Sequence, residues 1–222
     1  MRVTASNETV LVLIRFKIAG NLRFLSHAET LSVFQRACSR AGIKMQYSQG
    51  FNPRPRLSLP LPRSVGIEAE DELLCLRLRD CESEMGLDTE VLKERLSEQL
   101  PEGCQLLTVN IAETRPSFQA RRATYVLAVK DEYLDDKLKA GVEDLLASET
   151  LDIRRRIDAK GNSRNVDVRG FIESIELNKK GIVVECEISS SGSVRVDEIL
   201  GLLKLSVDKL AEPIRRTRVE WQ

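Results

Sequence analysis

The sequence holds one histidine in 222 residues, so imidazole can supply little of any metal site. Its five cysteines (Cys38, Cys75, Cys81, Cys104 and Cys186) are odd in number and scattered. The closest pair matches no common zinc spacing, and no three lie close enough to hold an iron–sulfur cluster. A transition-metal site would need mostly carboxylates, so the expected state of the thiols is free and buried, as small hydrophobes. No Walker loop, dinucleotide glycine pattern, zinc-protease helix motif or serine nucleophile elbow occurs. The longest apolar run, Val10 to Ile14, is strand-sized and far below the roughly 20 residues of a membrane helix. The opening MRVTASNETV is polar and lacks the apolar centre of a secretory signal. These absences predict a cytoplasmic protein without membrane contact, metal or cofactor in this chain.

Charge is plentiful but unevenly placed. The formal net charge is zero, with 31% of residues charged and 42% apolar. From Arg15 to Gly66 there are nine bases and one acid, Glu29, a local charge of +8. From Ile67 to Thr150 there are 20 acids and 10 bases, a local charge of −10. Five of the ten aromatic residues (Phe16, Phe24, Phe34, Tyr47 and Phe51) also fall in the basic stretch. Local charge, more than the overall balance, decides what docks on a surface.

Periodicity gives an α+β chain of two similar halves. Val10, Val12, Ile14, Phe16 and Ile18 point one way along a strand, and Arg15 and Lys17 the other. Ser26 and Glu29 have capping-box spacing ahead of a helix striped by Leu31, Phe34, Cys38 and Ala41, with Gly42 as its stop. Ile43 to Tyr47 reads as a second strand, and a proline-stiffened loop runs to Pro62. A strand over Asp71–Arg79, a helix over Asp88–Leu100 and a strand over Cys104–Ala112 complete a βαββαβ order. Glu113 to Arg122 has linker composition. The order then recurs: strand Thr124–Lys130, helix Tyr133–Ala147, strand Leu151–Asp158, strands at Ile172–Leu177 and Ile182–Ser189, helix Val196–Leu205 and strand Ile214–Trp221. The expectation is two tandem ferredoxin-like domains, 8–114 and 121–222, the second with an additional hairpin.

In that arrangement Arg15, Lys17, Arg77 and Arg79 share the uncovered face of the first sheet, with Lys44 nearby. Four like charges on adjacent strands repel, so the face is either wet, opposite an anion, or paired with acids of the second half. The loop from Tyr47 to Arg56 is the most informative stretch. Gly50 permits a sharp turn, Tyr47 and Phe51 offer flat faces, and Arg54 and Arg56 offer planar donors to phosphate. Rings interleaved with arginines suit single-stranded nucleic acid, although both rings could instead anchor the loop to the core. His27, beside Arg23 on the first turn of the first helix, fits a neutral ligand-binding imidazole, a general acid or base in RNA cleavage, or an ordinary capping histidine. Arg154 and Arg156 share one strand face as a second phosphate contact or a charged edge. Asp167 and Arg169 are spaced for a local ion pair.

The run Arg23-Phe24-Leu25-Ser26-His27, with Tyr47-Ser48-Gln49-Gly50-Phe51-Asn52-Pro53-Arg54-Pro55 and Leu59-Pro60-Leu61-Pro62, resembles the radical-SAM-linked proteins. These are encoded beside, or fused to the C-terminal side of, a radical S-adenosylmethionine (radical SAM) protein. Val166-Asp167-Val168-Arg169 matches a further segment more weakly. The chain departs from the family pattern at Ala28, Glu29 and Ser32, where the family carries leucine, aspartate and an arginine. The resemblance implies a radical SAM protein as partner, and any radical chemistry would reside on that other polypeptide. The function expected from residues and resemblance together is a non-catalytic RNA-binding accessory in RNA modification. A metal-independent endoribonuclease using His27 and a protein–protein adaptor are the alternatives.

Overall fold

The computed structural model describes residues 9–79, 88–112, 118–156 and 161–222. They fall into two compact units: residues up to Val65 with Ala69–Gln119, and Gly66–Glu68 with Ala120–Gln222. Each is α+β. No helix among the described residues is long and apolar enough to cross a membrane.

In the first unit, β1 (Val10–Ile18) follows the alternation of its sequence: Val12, Ile14, Phe16 and Ile18 are buried while Lys17 is exposed. A short 3-10 turn, Gly20–Phe24, leads to α1 (His27–Arg40). The capping box is formed, with the Glu29 N–H donating to Ser26 Oγ at 3.3 Å and the Ser26 N–H donating to Glu29 Oε2 at 2.8 Å. Then come β2 (Leu57–Ser58), β3 (Glu68–Leu78), α2 (Thr89–Ser97) and β4 (Cys104–Ile111). All pairings are antiparallel, in the order β4-β1-β3-β2. Phe34, Ala37 and Cys38 of α1 and Leu92 and Leu96 of α2 join Ile14, Phe16, Leu74, Leu76 and Leu78 in one core. Phe16 meets Phe34 edge-on, with centroids 4.7 Å apart. Each such side chain, fully buried, contributes about 1.5–3 kcal/mol.

Ile43–Tyr47, expected as a strand, is not one. It makes two isolated bridges, Met45 to Leu78 and Tyr47 to Pro55, and the edge strand on β3 is Leu57–Ser58. Two segments share that edge. The Gln46 N–H donates to the Arg77 carbonyl at 2.8 Å, the Arg77 N–H donates to the Arg56 carbonyl at 2.9 Å, and the Arg56 N–H donates to the Gln46 carbonyl at 2.7 Å. The chain leaves β3 after Gln46 and returns at Arg56. Between them, Pro53 and Pro55 have no N–H with which to extend a ladder.

The second unit contains β5 (Ala120–Leu127), α3 (Asp136–Ala147), β6 (Asp152–Arg156), β7 (Ser163–Asp167), β8 (Ile172–Asn178), β9 (Gly181–Ser189), β10 (Gly192–Ser193), α4 (Val196–Leu202) and β11 (Arg215–Trp221). Its sheet runs β8-β9-β5-β11, with β10 folding back on the end of β9. β6 and β7 form a separate hairpin. The strand expected over Leu151–Asp158 is β6 of that hairpin, in keeping with the additional hairpin expected of the second half. The part of the expectation on Ile157 and Asp158 lies outside the described residues.

Candidate nucleic-acid interface

The loop between Gln46 and Arg56 is a braced hairpin. Below its tip, Tyr47 bridges Pro55, the Ser48 N–H donates to the Arg54 carbonyl at 2.8 Å, and the Arg54 N–H donates to Ser48 Oγ at 2.9 Å. Gly50, at φ +128°, turns the chain where an L side chain would be strained. The two rings part company. Tyr47 packs against the core, while Phe51 at the tip is 107% exposed. Tyr47 is therefore an anchor of the loop, partly buried against the core. Arg54 and Arg56 are exposed on the returning arm.

Antiparallel register divides the expected basic floor. Arg77 lies opposite Leu11, whereas Arg15 lies opposite Leu73, four residues along the ladder. At about 3.3 Å per residue the two ends are roughly 13 Å apart. At one end, Arg77 adjoins Arg56, and the Arg79 N–H donates to the Lys44 carbonyl at 3.1 Å. Among the described residues, the side chains of Lys44, Arg54, Arg56, Arg77 and Arg79 meet no carboxylate. At the other end, Arg15 is ion-paired with Asp71, on the neighbouring strand of the same unit. Arg15 is thus already neutralised, and the continuous four-cation face is corrected to two separate ends. Lys17 stays exposed at the Arg15 end.

Arg23 and His27 belong to that second end. The Arg23 guanidinium lies 4.4 Å over the Phe24 ring and donates to the Gly20 carbonyl at 2.8 Å, so it is engaged locally. His27 lines a small cavity with Phe16, Thr30, Leu59, Leu61, Arg63 and Glu72. Its volume is about 10 Å³, room for about one water and none for a nucleotide. His27 Nδ1 is buried there without a hydrogen-bond partner among the described residues. Arg63 ties this end together, donating to the carbonyls of Arg23 at 2.7 Å, Leu25 at 3.1 Å and Leu22 at 3.3 Å.

The stretch from Leu57 to Arg63 joins the two ends. Pro60 and Pro62 hold Leu59 and Leu61 extended, so the chain alternates. Leu59, Leu61 and Arg63 face the His27 cavity, while Ser58 and Pro60 line a larger one. That larger cavity, about 420 Å³, is completed by Leu11, Arg56, Leu57, Cys75, Arg77 and Phe118. Sequence reasoning missed Ser58, Cys75 and Phe118. Phe118 sat in a stretch with linker composition, and Cys75 was expected to be buried but is half-buried. Burial pushes the Cys75 thiol up to about 11, with Arg77 acting weakly the other way.

In the second unit, Arg154 and Arg156 share an exposed face as expected, and Arg154 Nε donates to Ser163 Oγ at 2.6 Å. The expected Asp167–Arg169 ion pair is instead two structural caps. Asp167 Oδ1 accepts from the N–H groups of Leu151 at 2.8 Å and Arg169 at 2.9 Å. These bonds hold the Asp167 carboxyl below its ordinary range. The Arg169 guanidinium donates to the carbonyls of Leu146, Ile172 and Ser148 at 3.0 to 3.1 Å, closing the C-terminal end of α3. Among the described residues, no cluster of His, Cys, Asp and Glu side chains could hold a metal ion.

A model of the family described as "Uncharacterized protein conserved in bacteria (DUF2344)" matches residues 12–197. No curated protein matches the chain in sequence. In structure, the chain is similar to the acetolactate synthase small subunit from Thermotoga maritima, at 11% identity over 97% of this chain and 96% of that one. The TM-score is 0.24, and this likeness carries no argument about function.

Proposed function

The chain belongs to the DUF2344 family conserved in bacteria, and we propose that it is a non-catalytic accessory that binds single-stranded RNA and presents it to a radical SAM enzyme. The radical SAM partner follows from the motif resemblance alone. In this reading the chain is a tandem of ferredoxin-like units. Each has its first strand flanked by its last and third, with the second on the outer edge of the third.

The observation that carries the proposal is Phe51. A large apolar side chain held wholly in water contributes nothing to folding, yet this one sits on a turn braced by two hydrogen bonds. Arg54 and Arg56 follow it on the same arm, and Lys44, Arg77 and Arg79 lie at that end of β3. An exposed aromatic ring, together with cations that meet no carboxylate among the described residues, is what base stacking and phosphate contact require.

The test is fluorescence anisotropy with a labelled single strand of about 12 nucleotides, a length within the usual range for one binding surface. Binding should weaken steeply with salt. Phe51→Ala should cost about 1–3 kcal/mol, the worth of one stacked base. Arg54→Ala/Arg56→Ala should weaken binding and flatten the salt slope. Equal affinity for Phe51→Ala and the parent would sink the RNA reading. If the protein instead bound the radical SAM enzyme tightly without RNA and without regard to Phe51, it would be an adaptor.

A further inference from the structure

We propose that the cavity lined by Leu11 of β1, by the paired strands β2 and β3 and by Phe118 is a nucleotide site, accepting the phosphate and part of the nucleoside of a single nucleoside monophosphate. It rests on the RNA reading for the choice of nucleotide over other ring-bearing anions. Its volume, about 420 Å³, falls within the range of about 300–1,000 Å³ typical of small-ligand sites. Its lining divides by chemistry. Arg56, Arg77 and Ser58 supply two guanidinium forks and a hydroxyl, while Leu11, Leu57, Pro60 and Phe118 supply apolar surface and one aromatic ring.

The polar half calls for an anion. Arg56 and Arg77 are held next to each other by the bond from the Arg77 N–H to the Arg56 carbonyl. Neither side chain meets a carboxylate among the described residues, and none of the eight lining residues is acidic. Two neighbouring cations repel, and a phosphate between them relieves that repulsion with bidentate, charge-assisted bonds. The apolar half makes a bare phosphate an incomplete occupant, because it would leave that wall in water. The walls are also fixed in advance, with Leu57 paired to Leu76, Ser58 to Cys75, and Pro60 rigid.

The source of the nucleotide is either free nucleotide or one residue of the bound strand, and the experiment separates them. The full chain is titrated by calorimetry with adenosine 5′-monophosphate, uridine 5′-monophosphate, adenosine and inorganic phosphate, and by anisotropy with the single strand used above. The monophosphates should bind at least roughly tenfold more tightly than phosphate or adenosine alone, a gain of about 1.4 kcal/mol. Arg77→Gln should remove most of that gain. Arg56→Gln, at an exposed position, should reproduce the loss if Arg77→Gln proves unstable. Monophosphates that bind no better than phosphate, or that ignore both substitutions, overturn the site. A strand that binds while the monophosphates do not removes the cavity and leaves the RNA reading standing. Monophosphates that bind while the strand does not support the cavity as a free-nucleotide site and remove the RNA reading.

Discussion

Arg155 closes on Glu198 with two bonds, Nε to Oε1 at 2.6 Å and Nη2 to Oε2 at 2.7 Å, joining β6 to the first turn of α4. The same guanidinium reaches the Ser193 carbonyl at 2.6 Å, and the Arg195 N–H donates to Glu198 Oε2 at 2.8 Å. Glu198 is buried, so removing its partner leaves a desolvated charge. Arg155→Leu is expected to destabilise the second unit by about 3–5 kcal/mol, whereas Arg155→Leu/Glu198→Leu should recover much of the loss. Denaturant unfolding followed by Trp221 fluorescence checks both. A single variant within about 0.5 kcal/mol of the parent would refute the buried pair.

Acid should expose the same pair. Burial alone pushes the Glu198 carboxyl up, but the bonds from Arg155 and the Arg195 N–H outweigh it and hold it below its ordinary value. A carboxyl depressed in the folded state contributes stability that is complete above its unfolded pKa of about 4.3 and is lost as pH falls through the folded value. Asp167, depressed by the Leu151 and Arg169 N–H bonds, adds to the same trend. Unfolding midpoints should therefore be flat between about pH 6 and 7 and fall below about pH 4. In Glu198→Gln the fall should be shallower, and an unchanged slope would remove Glu198 from the account.

Two glycines of the second unit should respond in opposite directions. Gly181, at φ +141°, opens β9, and a Cβ there would lie 2.0 Å from the Leu127 carbonyl oxygen. Backbone stands in the way, so Gly181→Ala must break the pairing of Leu127 with Ile182. A loss above about 2 kcal/mol is expected, since steric and backbone strain add. Gly141 lies inside α3, where an added methyl would meet nothing within 4 Å, and Gly141→Ala should stabilise by up to about 1 kcal/mol. Thermal melts of the two variants, compared with the parent, decide it.

How much of this was legible in the sequence depended on the range of the interaction. The capping box at Ser26 and Glu29 and the alternation of β1 are local, and both stand as expected. Tyr47 and Phe51 looked alike in sequence because only the hairpin's closure decides which ring turns to the core. The expected cation floor failed on register: antiparallel pairing sets Arg15 against Leu73 and within reach of Asp71, far from Arg77. Arg63 was counted as charge and Arg169 as half of a local ion pair, yet each caps carbonyls more than 20 residues away in sequence. No local pattern marks an arginine that will serve backbone oxygens.

Cys75 offers a chemical probe of the cavity wall. Its thiol is half-buried with a pKa raised to about 11 by burial, while Cys38, Cys104 and Cys186 are raised to about 12. The reacting species is the thiolate, so native protein carrying Cys81→Ser should resist maleimide near pH 7.5, where a free thiol of pKa about 8.5 reacts readily. As pH rises toward 10, Cys75 should be modified first, identified by peptide mass. Arg77 opposes the upward shift, so Arg77→Gln should move the Cys75 pH–rate profile to still higher pH. Modification of Cys38 or Cys186 ahead of Cys75, or a profile indifferent to Arg77, would contradict the placement of the thiol beside that guanidinium.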